Sequence, residues 1–277
     1  MIISDIKGTF KLWNRVGMPY FGLGVFESTE GSETIKAIHW ALEAGYRHID
    51  TASMYLNERS VGEAIKTSGI RREDIFVTTK VWNSDQGFQN TLDAFNRSLD
   101  KLQMGFVDLY LIHWPVRGKF IKTWEAMEEI YSKKLARAIG VSNFQQHHIL
   151  ELMTSNHLKP MVNQVEFHPY LSQPELLNFC KNNNIQLQAW SPILKGRVNN
   201  FPKLIEIGMK YGKTPVQVTL RWDLQKGVIT IPKSVRKERI ISNANIFDFS
   251  LTDEEIKIID SLNKNERMGA DPDNFNF

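Results

Sequence analysis

The sequence predicts an α/β fold: a closed (β/α)8 TIM barrel with an N-terminal β-hairpin and extra helices near the C-terminus. Three observations predict it. From residue 21 onward, short β-branched apolar segments alternate strictly with segments of helical period, the pattern of a parallel sheet covered by helices. Eight such units fit in 277 residues, and no linker or low-complexity stretch divides them, so 1–277 reads as one barrel domain. Polar and ionisable residues also recur where successive strands run out, the rim on which barrels of this kind place chemistry.

The elements follow in order. Gly8 to Trp13 and Asn14 to Pro19 read as a hairpin, and Phe21 to Val25 as the first barrel strand. Glu33 to Ala44 is a helix that Gly45 closes, because a residue after a helix end favours the left-handed conformation that glycine adopts freely. Further strands are expected at 46–50, 75–82, 107–113, 136–141, 162–167, 185–190 and 228–231. Helices are expected at 57–67, 89–102, 119–133, 146–155, 174–183, 201–211, 215–226, 236–243 and 253–262.

Composition removes several function classes. Charged residues make up 23% and the net charge is +3, and no basic run interleaves with aromatics, so no nucleic-acid partner is expected. No apolar run approaches the ~20 residues of a membrane span, and the stretch from Met1 to Asp5 has no basic-then-apolar signal pattern. The one cysteine, Cys180, cannot form an internal disulfide, which fits a reducing cytoplasm; its helical neighbours Leu176 and Leu177 mark it as a buried, inert thiol.

The rim carries the chemistry. Asp50 ends the strand that begins at Tyr46, Lys80 ends the one through Ile75 to Val77, and His113 ends the one through Val107 to Ile112. Tyr55 falls in the turn before the helix that starts at Asn57. A carboxylate at a strand end needs a partner, and Lys80 can supply one. Taken singly, each has a plain structural reading: Asp50 and Lys80 an ion pair, Tyr55 a helix-start aromatic, His113 a core histidine. His48 and Asp50 also share one strand face, as ligands of barrel metal hydrolases do. The other strand ends carry Lys80, Ser142 and Trp190, which do not suit a divalent cation, so no metal is expected there. His147 and His148 start a helix and read as solvent-facing.

Familiar nucleotide motifs are missing. Gly22-Leu23-Gly24 lacks the third glycine of a dinucleotide fingerprint, since position 27 is Glu, and reads better as backbone passing close to a neighbour. There is no phosphate loop, and no tyrosine has lysine four residues later. The eighth unit offers another solution. Ile231-Pro232-Lys233-Ser234 ends a strand just before a helix that carries Arg239, and a helix start with added cations suits a phosphate, though a solvated basic helix start reads equally well.

Taken together, Asp50-Thr51-Ala52-x-x-Tyr55-x-Asn57-Glu58, Lys80-Val81-Trp82, Leu111-Ile112-His113-Trp114-Pro115, Gly140-Val141-Ser142-Asn143-Phe144, Asn163-Gln164-Val165-Glu166 and Ile231-Pro232-Lys233-Ser234 with Arg239 and Asn243 resemble the aldo-keto reductase family. The resemblance runs nearly end to end and is greatest to short bacterial members of the diketogluconate and glyoxal reductase type. It implies NADPH-dependent reduction of small aldehydes and ketones: α-oxoaldehydes such as methylglyoxal, aromatic aldehydes and keto-sugars. Tyr55 would be the proton donor, Lys80 would lower its pKa, Asp50 would hold Lys80, and His113 would orient the carbonyl. By the same resemblance Ser142, Asn143, Gln164 and Trp190 would hold the nicotinamide, with Trp190 where many members have tyrosine. Ser191 and Leu194 would lie along the pyrophosphate, Lys233, Ser234 and Arg239 would take the 2′-phosphate, and Asn243 the adenine. His113, Phe26, Met54, Trp82 and Trp114 would wall a substrate pocket that short loops leave shallow and open. A monomer is expected, as is common in the family. Some superfamily relatives bind NADP as catalytically idle subunits or sensors, which is the alternative reading.

Overall fold

In the computed structural model, residues 3–155 and 158–277 are described; Met1 and Ile2 of the N-terminal stretch read for a signal pattern lie outside them. The hairpin pairs β1 (Thr9–Lys11) with β2 (Gly17–Pro19), Thr9 opposite Pro19. Phe10, Leu12 and Met18 face the core. Trp13 donates to Pro160 O (3.4 Å) and Asn14 to Arg137 O (2.9 Å), so the hairpin covers the end of the barrel at which strands start.

Eight strands follow: β3 (Leu23–Gly24), β4 (His48–Asp50), β5 (Phe76–Val81), β6 (Val107–Ile112), β7 (Ala136–Ser142), β8 (Val162–Glu166), β9 (Gln186–Trp190) and β10 (Ile229–Thr230). They pair in sequence order, every neighbour parallel. The first and last also meet. Gly22 N–H donates to Thr230 O and Thr230 N–H to Tyr20 O, both at 3.0 Å, and Gly24 N–H to Pro232 O at 3.4 Å, closing the sheet on itself. The expected strands 21–25 and 228–231 shorten to two residues each because this seam is held by isolated bridges and not by a continuous ladder.

Ten helices occur among the described residues, and those that cover the barrel lie where helical period placed them: α1 (Ser32–Glu43), α2 (Glu58–Thr67), α3 (Phe88–Leu102), α4 (Phe120–Ser132), α5 (Gln146–Ser155), α6 (Pro174–Asn182), α7 (Pro202–Tyr211), α8 (Pro215–Gln225), α9 (Lys237–Ala244) and α10 (Asp253–Asp260). In α3 the buried set Thr91, Ala94, Phe95, Ser98 and Leu102 recurs at three- and four-residue spacing, the stripe of a helix laid on a sheet. Gly45 follows α1 at φ 96°, as expected of a helix stop. Thr214 with Gln217 and Thr252 with Glu255 form capping boxes that start α8 and α10. Every residue of β5 and β6 is buried, since these strands have side chains inside the barrel on one face and helices on the other.

Gly22 is explained by close approach: a Cβ there would come within 2.8 Å of the His48 ring. His48 is fully buried, its Nδ1 3.3 Å from Pro19 O and its Nε2 3.2 Å from Thr78 Oγ1. Both ring nitrogens are thus engaged by the core, which removes it as a metal-ligand partner of Asp50. Among the described residues no helix is long and apolar enough to cross a membrane.

Candidate active site

The pairing of β4 with β5 sets Asp50 opposite Thr78. Lys80 lies two residues further on, and a strand has a period of two, so Lys80 and Asp50 share one face. Lys80 Nζ sits 2.5 Å from Asp50 Oδ1, 2.8 Å from Thr51 O and 3.4 Å from Tyr55 Oη. Lys80 has no solvent exposure. Tyr55 rides on a single 3-10 turn (Ser53–Tyr55) that ends with Leu56 at φ 57°, and Ser53 Oγ ties that turn to β5 by donating to Lys80 O (3.0 Å).

The charges follow from this geometry. Burial works against the Lys80 ammonium, but Asp50 and Tyr55 outweigh it and hold its pKa above the usual value. Burial also drives the Tyr55 phenol upward. Lys80 pulls it down, as expected from sequence, and Asp50 pushes it up. The net direction is upward, which corrects the expectation of a lowered phenol: desolvation of the ring is the larger effect. His113 follows β6, with ring centroids 5.0 Å from Trp82 and 5.7 Å from Tyr55. Burial and then Lys80 hold the imidazole far below its ordinary value, so it is neutral at pH 7. Its Nδ1 is buried without a hydrogen-bond partner.

The ends of β7, β8 and β9 form a second network beside this one. Asn143, at φ 65°, donates from Nδ2 to His113 O (3.0 Å) and accepts from Trp190 Nε1 (2.8 Å). Ser142 Oγ donates to Gln164 O (2.8 Å). Gln164 Nε2 donates to Asp50 Oδ2 (2.6 Å) and to Gln188 Oε1 (3.1 Å). Sequence-expected catalytic and nicotinamide residues therefore meet at Asp50, each carboxylate oxygen holding one group. Gln188 escaped the sequence reading because it sits mid-strand between buried Leu187 and Ala189.

Two further residues, Glu166 of the quoted motif and Gly269, were given no role by the sequence. Glu166, ending β8, accepts from Met268 N–H (2.7 Å) and Gly269 N–H (3.1 Å) and bonds His168 Nε2 (3.0 Å). This fastens the 266–269 segment beside Trp190, so closely that a Cβ on Gly269 would sit 2.5 Å from the Trp190 indole. Gly269→Ala should therefore rotate Trp190 out of its bond to Asn143 and weaken nicotinamide-cofactor affinity by about tenfold. A cofactor titration followed by tryptophan fluorescence checks this; wild-type affinity would remove Gly269 as a positioning residue.

The eighth unit carries the remaining expected contacts. Ser234, buried, accepts from Arg236 N–H at 3.1 Å just before α9. Lys233 Nζ donates to Glu27 O (3.1 Å), and neither Lys233 nor Arg239 makes an ion pair among the described residues. Two cations without carboxylate partners at a helix start suit a phosphate. Asn243 lies on the same helix, with most of its surface buried. Ser191 and Leu194 take left-handed backbone (φ 52° and 53°) at the start of a 3-10 stretch, Leu194–Asn200, that the sequence did not announce. Lys195 in it pairs with Glu27 (3.3 Å), linking the first and seventh loops.

Phe26 packs 4.9 Å from Tyr55, and Phe26 and Met54 are the exposed members of the expected substrate wall. Met54 and Trp82 also line a crevice of about 310 Å³ that runs toward Arg97 and Lys101. The pocket is less open than short loops suggested. Phe277 stacks on Trp82 (5.9 Å, 5° between planes) and meets Trp114 edge-on (5.2 Å), and Phe275 lies 5.1 Å from Trp114. Asn83 Nδ2 donates to Phe277 O at 3.1 Å. The 271–277 segment supplies the wall that the loops lack.

The motif residues at the ends of β4 through β10 thus converge on one rim, and the family model "Aldo/keto reductase family" matches residues 16–264. The chain belongs to the aldo/keto reductase family. It is 53% identical to the glyoxal reductase of Bacillus subtilis over 274 residues, 99% of each chain. Among solved structures, MGS-M4, an aldo-keto reductase from a Medee basin deep-sea metagenome library, superposes with a TM-score of 0.95 at 44% identity, covering 97% of this chain and 100% of that one. A Bombyx mori aldo-keto reductase in complex with NADP gives 0.90 at 35% identity, covering 96% and 95%.

Proposed function

We propose that this aldo/keto reductase uses NADPH to reduce small aldehydes and ketones to alcohols, with α-oxoaldehydes such as methylglyoxal, aromatic aldehydes and keto-sugars as its substrate class. The observation that carries the reading is the chain Asp50–Lys80–Tyr55, with the Tyr55 ring edge-on to a neutral His113, 5.7 Å between centroids, in an aromatic pocket. The names of the B. subtilis and B. mori relatives support the substrate class and the cofactor. NADPH, when bound, would supply the hydride for the carbonyl carbon. Tyr55 gives its proton to the carbonyl oxygen, and the phenolate left behind is stabilised by the Lys80 ammonium. His113 presents a neutral N–H to that oxygen as negative charge develops. Asp50 keeps Lys80 charged in a place where burial alone would strip its proton. Ser142, Asn143, Gln164 and Trp190 would hold the nicotinamide end, Ser191 and Leu194 the pyrophosphate, Lys233, Ser234 and Arg239 the 2′-phosphate, and Asn243 the adenine. Phe26, Met54, Trp82 and Trp114 would hold the substrate. A cytoplasmic monomer is part of this proposal, in keeping with one buried thiol at Cys180.

The test is loss of NADPH absorbance with methylglyoxal, phenylglyoxal, an aromatic aldehyde and a keto-sugar, each repeated with NADH. Turnover with NADPH supports the reading. Tight NADPH binding without turnover would favour an idle, sensor-like relative, and neither would mean that the cofactor site is misread. In the double variant Lys233→Ala, Arg239→Ala, NADPH affinity should fall by about a hundredfold, from two lost charge-assisted bonds, and NADH affinity by much less. Equal losses would remove the 2′-phosphate assignment.

A further inference from the structure

His147 and His148 open α5, and the sequence suggested two solvent-facing rings. His147 is so, with 63% of its side chain exposed, but His148 keeps only 12%. Phe120 and Phe144 grip the His148 ring, at 6.1 and 5.8 Å between centroids. Asp273 reaches the same spot from the segment that carries Phe275 and Phe277. Its Oδ1 lies 2.9 Å from His147 Nε2 and 3.3 Å from His148 Nε2, and the two Nε2 atoms are 3.1 Å apart. The turn that presents Asp273 is fixed by Asn274 N–H donating to Asp271 O and Asp273 N–H donating to Asp271 Oδ1, both at 3.0 Å.

Hydrogen bonds satisfy this triangle poorly: two N–H groups can share Asp273 Oδ1, but their nitrogens then lie 3.1 Å apart. Gln145 N–H donates to His148 Nδ1 (3.1 Å), which leaves a neutral His148 with its proton on Nε2. If His147 also carries its proton on Nε2, two N–H groups face each other. If it does not, a bare nitrogen faces the Asp273 carboxylate. A cation at the centre removes the conflict, because three lone pairs then point at it. Donors bound at about 2.0–2.1 Å in a tetrahedron sit about 3.3 Å from one another, close to all three separations seen here.

We propose that His147 Nε2, His148 Nε2 and a carboxylate oxygen of Asp273 form a site for a borderline divalent transition metal of the Zn2+ class, with water as the remaining ligand. Two imidazoles and one carboxylate suit Zn2+ and exclude a preference for Mg2+ or Ca2+, which take oxygen. The start of a helix disfavours a cation, and the Asp273 charge offsets this. Ligation moves the His148 proton to Nδ1 and gives up the bond from Gln145, which weakens the site without abolishing it. The metal joins α5 to the 271–277 segment two residues before Phe275. It thereby clamps Phe275 and Phe277 against Trp114 and Trp82; that this tunes a substrate pocket rests on the reductase reading, whereas metal binding does not.

The test titrates tag-free protein, without cofactor or substrate, with Zn2+ against a chromophoric chelator, and in parallel with Mg2+. One Zn2+ per chain is expected, with no Mg2+ uptake. His147→Ala and Asp273→Asn, both at exposed positions, should each weaken Zn2+ by more than about tenfold, with Tm in the absence of metal unchanged. Hydrogen exchange should show slower amides in 271–277 when Zn2+ is bound. No uptake by the wild type, or unchanged affinity in both variants, overturns the site. Uptake that depends on these residues but leaves the 271–277 amides unprotected overturns the clamp. None of these readings uses turnover, so they stand apart from the reductase assignment.

Discussion

Tyr55→Phe is expected to lower kcat for methylglyoxal reduction by about 10²- to 10⁴-fold while NADPH affinity stays within about twofold. The substitution removes only the hydroxyl proposed as proton donor. The ring remains between Phe26 and His113, so the pocket keeps its shape. The pH profile of the wild type carries the same information. The phenol lies above its ordinary value and His113 far below its own, so neither group changes charge near neutrality. Reduction should therefore run level across pH 6–8 and fall only at alkaline pH, as the phenol loses its proton, above about 10. Steady-state kinetics on both proteins decide this. If the variant retained most of its turnover, or a limb appeared in the wild-type profile at the usual histidine pKa, the proton would come from elsewhere.

Lys80→Met should be the most damaging substitution for the fold and the chemistry together. It leaves Asp50 buried at 2% exposure with Gln164 as its remaining side-chain partner. Removing one member of a buried pair costs about 3–5 kcal/mol, because an uncompensated charge stays behind. The variant should unfold at lower denaturant by that amount and show no measurable reduction. Asp50→Asn with Lys80→Met removes both charges and should recover most of the stability but none of the activity. A Lys80→Met protein as stable as the wild type would show that the Asp50–Lys80 pair adds nothing to the fold. Recovery of turnover in the double variant would show that the ammonium has no part in the chemistry.

The chain made its rim legible because the relevant signals are local. An apolar run that stops at Asp50, Lys80 or His113 states where a strand ends and what stands there, and parallel pairing then fixes which side chains share a face. Helices with a full stripe, such as α3, were legible for the same reason. Contacts made by chance of fold were not. Nothing in the sequence near Phe275 or Phe277 has a period, and their partners Trp82 and Trp114 lie more than 150 residues away. Gly269 and Glu166 are likewise joined only through the folded chain. The direction of the Tyr55 shift was missed because it depends on how much water the folded pocket removes, which no motif encodes.

The two shortest strands of the sheet, Leu23–Gly24 and Ile229–Thr230, are also the two that must meet for the barrel to close. A ring fails first where it has fewest redundant bonds, so local opening should begin at this seam and not among β5, β6 and β7. Lys233 and Ser234 follow one lip of it, and the Glu27 carbonyl that Lys233 grips follows the other. On the proposed assignment, ligand affinity at the eighth unit would be thermodynamically linked to the integrity of the ring: whatever organises Lys233 would also suppress the opening, and an opened ring would have no phosphate site to offer.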